Sequence, residues 1–113
     1  MQRRHLLQAG LTLAAAPAIT WADNWPAKPI TLVVPFPPGG ALDIVARALA
    51  EEMRKPLGQP VIVDNRPGAG GRLAAELLKS AAPDGNTVMV TPIVVPVLAP
   101  MVFSKLSYNP ETD

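Results

Sequence analysis

Residues 32–43 read Leu-Val-Val-Pro-Phe-Pro-Pro-Gly-Gly-Ala-Leu-Asp. The apolar residues at the start of this stretch predict a buried strand, the prolines a stiff turn, and the two glycines the opening of a helix. Unpaired backbone N–H groups at the first turn of a helix attract anions, and the helix dipole strengthens that attraction. The stretch therefore indicates either a site for a negatively charged small molecule or a tight strand-to-helix connection without a ligand.

The rest of the sequence places this stretch in an alternation of strands and helices. Continuous apolar or β-branched runs predict three strands, and apolar residues spaced three and four apart predict two helices between them. Such alternation implies an α/β fold, with a parallel sheet, right-handed crossovers and helices flanking the sheet. The predicted strands are at 30–34, 61–63 and 87–91, and the predicted helices follow Gly40 and Gly71.

Two predictions concern how these elements pack. The first helix is predicted to be amphipathic and to end at Gly58, where a glycine suits a left-handed cap. The segment at 93–103 is apolar, but Pro96 and Pro100 exclude a central strand or a straight helix there. The apolar positions of the first helix are Leu42, Val45, Leu49 and Met53, with Ala46 and Ala50 beside them.

The N-terminal residues are typical of an export signal. Arg3 and Arg4 precede an apolar run, residues 6–19, that is shorter than the roughly 20 residues needed to span a bilayer. The small residues that follow predict cleavage after Ala22, with Ala18 as the alternative position. The arginine pair fits either the general secretory route or the twin-arginine route, and both predict an exported protein. The other interpretation is an ordinary N-terminal helix.

Composition excludes several classes of function for the residues after the predicted signal. Residues 1–22 hold two of the ten Lys and Arg residues and none of the nine acidic ones, so residues 23–113 have a net charge of −1. A nucleic-acid-binding protein would be far more basic. The chain has no cysteine, and its one histidine, His5, lies in the predicted signal. We therefore expect no metal, no cofactor, no lipid anchor and no enzymatic activity.

Three loops are expected to meet at one edge of the sheet, because ligands of open parallel sheets bind where the carboxyl ends of strands converge. Asp43 either complements the helix dipole and binds free amides or, if it faces the cleft, orients a water or an ammonium group. The Gly-Ala-Gly-Gly sequence at 68–71 lacks the last glycine of a dinucleotide-binding fingerprint, so a tight turn is expected there. The three loops are 35–41, 65–71 and the segment after Thr91.

Five short blocks then occur in a fixed order along the chain. They are Trp-Pro-Ala-Lys-Pro-Ile at 25–30, Val-Val-Pro-Phe-Pro-Pro-Gly-Gly-Ala at 33–41 with Asp43, Val-Asp-Asn-Arg-Pro-Gly-Ala-Gly-Gly at 63–71, Ala-Pro-Asp-Gly at 82–85 and Lys-Leu-Ser-Tyr-Asn-Pro at 105–110. In these blocks the chain resembles the substrate-binding proteins of tripartite tricarboxylate transporters, also called Bug receptors. The resemblance covers essentially all of the residues after the predicted signal.

The resemblance implies a periplasmic solute receptor with the two-domain, type II-like periplasmic-binding-protein fold and a cleft between its α/β domains. Such a receptor binds small carboxylates or related metabolites and presents them to a membrane permease. By this resemblance, the loop after the first strand holds a ligand carboxylate through backbone amides and ordered waters, and the segment after the third strand lines the cleft. The residues implied as ligand-binding are Phe36, Pro38, Gly39, Gly40, Ala41, Asp43 and Thr91.

Two features depart from the family pattern. The family commonly has a threonine between the Ala and the Asp of this loop, whereas this chain has Leu42 and so lacks a hydroxyl able to cap the helix or hold a water. Family members are also much longer than residues 23–113. We therefore expect an export signal at 1–22 and, at 23–113, a truncated N-terminal α/β lobe without the second lobe. The alternatives are a non-functional gene remnant and a small Rossmann-like enzyme domain.

Overall fold

The computed structural model describes residues 24–113, and the predicted export signal at 1–22 lies outside the described residues. Strands and helices alternate as the sequence predicts, which confirms the α/β class. No helix in the described part of the chain is both long enough and apolar enough to cross a bilayer. The elements are β1 (Ile30–Val34), α1 (Ala41–Leu57), β2 (Val61–Asn65), a 3₁₀ turn (Ala69–Gly71), α2 (Arg72–Ser80), β3 (Thr87–Met89), a π-helical turn (Val94–Leu98) and α3 (Ala99–Val102).

The three strands form one parallel sheet in the order β2-β1-β3. Ile30 of β1 pairs with Val61 of β2, and Thr31 of β1 pairs with Thr87 of β3. β1 is therefore central, and four of its five residues are buried, as its continuous apolar sequence predicts. The chain forms β2 on one side of β1 and then crosses back to form β3 on the other. Right-handed crossovers consequently place α1 and α2 on opposite faces of the sheet.

Each face of the sheet carries its own apolar cluster. On one face, Ala50 of α1 packs with three buried residues of β1 and β2. On the other, Ala75 of α2 packs with Val95 and Tyr108 from the chain after β3. The two clusters share no buried residue, which agrees with helices on opposite faces. α1 thus covers one face of the sheet near its centre, and α2 with the chain after β3 covers the other. Loops lie at the carboxyl edge of the sheet.

The fully buried apolar residues of α1, Ala46 and Ala50, are small, and the large apolar positions that the spacing singled out divide into two pairs. Met53 packs against the apolar cluster that contains Ala50 and Leu42 is partly buried, whereas Val45 and Leu49 are 57% and 43% exposed. Small side chains let the helix approach the sheet closely, so the bulkier residues end up at its rim. Gly58 caps the end of α1 as predicted, with a left-handed φ of 64° and an N–H that donates to the Arg54 carbonyl.

The apolar segment after β3 forms two short helical turns instead of a strand or a long helix. This agrees with the expectation drawn from its prolines, which lack the N–H that a regular helix needs. Val95 is 1% exposed and anchors the segment, because its carbonyl accepts a hydrogen bond from the Tyr108 hydroxyl at 2.7 Å. Met101 and Val102 on α3 are 77% and 74% exposed. The segment is therefore attached to the sheet along one side only.

Candidate anion-binding site

The three loops predicted to share one edge of the sheet meet there around Gly71. A Cβ atom built on Gly71 lies 3.2 Å from Pro35 Cβ and 2.6 Å from Val95 Cγ2. Pro35 follows β1, Gly71 follows β2 and Val95 follows β3, so each connection contributes one residue to the contact. Gly71 has a φ of 91°, a backbone conformation that suits glycine. The lack of a side chain at this position lets the loops approach one another.

From the strand order, a crevice is expected at the carboxyl ends of β1 and β3. Since β2 and β3 lie on opposite sides of β1, the two crossovers run in opposite directions from this edge. Ligands of open α/β sheets bind at such a switch point, which neither crossover covers. The Val90 N–H donates to the Val33 carbonyl at 2.9 Å, which extends the pairing of β1 and β3 towards Thr91. Loop 35–41 and Thr91 therefore flank the crevice.

The first turn of α1 presents backbone donors beside this crevice. Gly40 precedes the helix with extended backbone, at φ −79° and ψ 170°, and no side chain caps the helix. Within residues 24–113, the N–H groups of Gly40, Ala41 and Leu42 donate to no acceptor. These donors lie at the positive end of a 17-residue helix. The arrangement suits an oxyanion, which offers acceptors and carries the complementary charge.

Asp43 lies in the first turn of α1, and its carboxylate accepts hydrogen bonds from three groups of the protein. The residue is 3% exposed. Its Oδ2 accepts from the Gly39 N–H and from Arg47 Nε, each at 2.9 Å, and its Oδ1 accepts from Asn65 Nδ2 at 3.0 Å. The hydrogen bond from Arg47, and then that from Gly39, lower the pKa of Asp43 to about 2. Asp43 is therefore an ionised group that closes the loop onto the helix.

Sequence reasoning did not single out Asn65, which joins the loop to β2. Its Nδ2 donates to the Phe36 carbonyl at 3.1 Å in addition to Asp43, and its Oδ1 accepts from Arg47 at 3.4 Å. The sheet register brings Asn65 level with Val34, the last residue of β1. A polar residue at the carboxyl end of a strand, next to a predicted ligand loop, is the signal that points to it.

The remaining residues implied as ligand-binding lie in loop 35–41 and just after β3. Thr91 is partly buried just after β3, and its hydroxyl donates to the Pro92 carbonyl at 3.3 Å. Leu42 contributes its backbone N–H at the position where the family pattern has a threonine. Across residues 24–113, no group of three or more His, Cys, Asp or Glu side chains is placed to hold a metal ion. Of the loop residues, Phe36 is partly buried, and Pro38, Gly39, Gly40 and Ala41 are exposed.

An apolar groove of about 440 Å³ lies on the α2 side of the same edge, away from the free donors. The guanidinium of Arg72 lies over the Phe103 ring, 4.1 Å from its centre, and is engaged there. The rest of the lining is almost wholly apolar and comes from the 3₁₀ turn and the segment after β3. A small carboxylate needs hydrogen-bond donors, so the first turn of α1 suits it better than this groove.

The chain is similar to a known family of receptors over more than half its length. The family model described as "Tripartite tricarboxylate transporter family receptor" matches residues 45–113. A relative from Cupriavidus necator, the "UPF0065 protein in gbd 5'region", is 44% identical over 121 residues, which cover 100% of this chain and 36% of that protein. The chain thus spans about a third of the length of the curated relatives it matches.

Solved structures share this fold. MatC (Rpa3494) from Rhodopseudomonas palustris, with bound malate, is 46% identical with a TM-score of 0.72, over 76% of this chain and 29% of that one. R. palustris Rpa4515, with adipate, is 35% identical with a TM-score of 0.73, over 79% of this chain and 30% of that one. The sheet and its loops are therefore similar, in sequence and in shape, to parts of two proteins solved with dicarboxylates.

Proposed function

The chain belongs to the tripartite tricarboxylate transporter family of receptors, and from this premise we propose that it binds the carboxylate group of a small solute in the periplasm. The proposed binding group consists of the backbone N–H donors of Gly40, Ala41 and Leu42. One observation carries the proposal: these donors have no acceptor within residues 24–113 and lie at the positive end of a long helix beside the β1/β3 crevice.

The chemistry of these donors fits a carboxylate. A carboxylate only accepts hydrogen bonds, and three adjacent N–H groups only donate them. Malate in MatC and adipate in Rpa4515 are both dicarboxylates, which supports this class of ligand. In the proposed site, Gly39 and Asp43 shape the loop, while Phe36, Pro38 and Thr91 border the ligand. The proposal concerns the carboxylate and the loop, and it names no particular solute.

The same family membership supports a role in transport. Receptors of this family are periplasmic binding proteins. We propose that residues 1–22 direct export, that residues 23–113 form part of the first lobe of a two-lobed receptor, and that permease subunits in the membrane receive the solute. The solute leaves such a receptor unchanged, so the proposed activity is binding without turnover.

Calorimetric titration of the purified chain tests the proposal. The ligands are malate, adipate and malamide, in which neutral amides replace both carboxylates of malate. We expect each dicarboxylate to bind at one site and malamide to bind far more weakly, because the donors and the helix dipole favour negative charge. Equal affinity for malate and malamide, or no heat of binding with either dicarboxylate, contradicts the proposal.

A further inference from the structure

We propose that Asn65 is a positioning residue for the carboxylate-binding loop, which it holds in place from the neighbouring strand β2. The inference rests on the proposed function, because it explains how the donors of Gly40, Ala41 and Leu42 are fixed before a ligand arrives. Asn65 is not one of these donors. It acts through two of its hydrogen-bond partners, the Phe36 carbonyl at 3.1 Å and the Asp43 carboxylate at 3.0 Å.

The amide group of Asn65 matches the chemistry of its three neighbours. Two acceptors, the Phe36 carbonyl and Asp43 Oδ1, face its Nδ2, and one donor, Arg47, faces its Oδ1 at 3.4 Å. An ionised carboxyl in the same place would meet both acceptors without a proton, and an apolar side chain would satisfy none of the three groups. The arrangement also fixes which way the amide points.

These bonds hold the loop at two points that flank its prolines. Asn65 holds the Phe36 carbonyl directly. It holds Gly39 through Asp43, whose Oδ2 accepts the Gly39 N–H at 2.9 Å. The residues between these points are both proline, with little backbone freedom of their own. The position of the helix N-terminus relative to the crevice is thereby determined before binding, which lowers the entropy lost when a ligand binds.

The charges around Asn65 are balanced in pairs. Asp43 and Arg47 of α1 pair at 2.9 Å, and Asp64 and Arg66, on either side of Asn65 in the sequence, also pair at 2.9 Å. The Arg47 guanidinium already offsets the negative charge of the Asp43 carboxylate. An anion bound at the first turn of α1 is therefore repelled less by Asp43. One more negative charge at residue 65 would disturb this balance next to the ligand.

The substitution Asn65→Asp tests the inference, because it keeps the shape of the side chain but removes its donors. Malate is titrated by calorimetry into the full chain and its variant, at about pH 8 and about pH 5, on either side of the pKa expected for two coupled carboxyls. At the higher pH we expect at least about tenfold weaker binding, since both hydrogen bonds that Asn65 Nδ2 donates are lost, one of them to the ionised Asp43 carboxylate. At the lower pH we expect part of this loss to be recovered, because the carboxyl pair takes up a proton and its single O–H restores one of the two hydrogen bonds that Asn65 donates.

Gln59→Glu is the matched control, because it adds the same charge just before β2, at the opposite end of that strand from the loop. We expect its malate affinity to stay within about twofold of wild type at both pH values, given the distance and the ionic screening. A purely structural role for Asn65 would lower the melting temperature of Asn65→Asp without recovery of affinity at acid pH. The inference is overturned if Asn65→Asp binds malate as tightly as wild type at both pH values. It is also overturned if the variant binds malate more weakly than wild type by the same factor at both.

Amide hydrogen exchange separates this inference from the proposed function. If wild-type chain binds no malate, the proposed function fails, but the effect of Asn65 on the loop is still measurable. We expect the Gly39 amide to exchange at least about tenfold faster in Asn65→Ala than in wild type, because the acceptor Asp43 loses one of the three donors that hold its carboxylate. Unchanged exchange at Gly39 overturns the positioning role whether or not malate binds.

Discussion

Gly71 lies so close to Val95 that a Cβ atom on Gly71 would come within 2.6 Å of Val95 Cγ2. Val95 is 1% exposed and has a stiff, β-branched side chain, so it has little freedom to move away. The Cβ atom added to Gly71 would also lie 3.2 Å from Pro35 Cβ. The junction of the three connections at the carboxyl edge of the sheet therefore depends on the missing side chain at residue 71.

Gly71→Ala is expected to destabilise the protein by about 2 kcal/mol or more, because it adds steric overlap to a strained backbone. Gly70→Ala is the matched control, since Gly70 has a φ of 64° and a Cβ atom added to it would meet nothing within 4 Å. The control should lose only about 1 kcal/mol, the cost of the left-handed backbone. Urea denaturation measures both free energies of unfolding. Equal losses in the two variants would contradict the close packing at Gly71.

Asp43 is expected to make the fold sensitive to acid. Its folded-state pKa of about 2 lies below the ordinary value of 3.8. The ionised carboxylate therefore stabilises the fold above about pH 4, and this contribution is lost as the pH falls towards 2. Asp43→Asn should flatten the decline of stability over this range, whereas Glu52→Gln, on the exposed side of the same helix, should not. Urea denaturation at several pH values measures the slopes, and parallel slopes for wild type and Asp43→Asn would refute the assignment.

Tyr108 is expected to tie the chain after β3 to the core. Its hydroxyl donates to the Val95 carbonyl at 2.7 Å in a buried position, and burial raises the pKa of Tyr108. Tyr108→Phe should lower the free energy of unfolding by about 1–2 kcal/mol, since a buried carbonyl loses its partner. Because the folded-state pKa is raised, wild type should also lose stability above about pH 10, and Tyr108→Phe should lose less there. Urea denaturation at neutral and alkaline pH tests both statements; identical alkaline behaviour would count against them.

Ala41→Pro is expected to weaken carboxylate binding without unfolding α1. Proline suits the first position of a helix, and the extended backbone of Gly40 suits the residue before a proline. The substitution removes one proposed donor, so affinity for malate should fall about tenfold. Ala41→Ser keeps the N–H and serves as the control. Calorimetry measures affinity and thermal denaturation checks the fold; unchanged affinity in Ala41→Pro would remove Ala41 from the site.

Much of this architecture follows from the sequence because the deciding signals are local. The continuous apolar run of β1, the prolines after it and the glycines before α1 each act within a few residues. The face that α1 buries is predicted less well, since close packing against the sheet favours Ala46 and Ala50 over the larger Val45 and Leu49.

The role of Asn65 follows from long-range structure instead. Asn65 is 22 residues from Asp43 in sequence, and only the pairing of β2 with β1 brings the two together. Sequence reasoning identified the loop and Asp43 but had no way to fix that register. The engagement of the Gly39 N–H by Asp43 likewise depends on a side-chain rotamer that no pattern specifies.

The most direct test of the central claim is a titration of the ¹⁵N-labelled chain with malate, followed by the amide resonances in nuclear magnetic resonance spectra. If the first turn of α1 captures the carboxylate, the Gly40, Ala41 and Leu42 amides should show the largest shifts, saturating together with one dissociation constant. The Gly39 amide should shift less, because it already donates to Asp43. Saturable shifts confined to the groove near Phe103, or no shifts at the first turn of α1, would contradict the account.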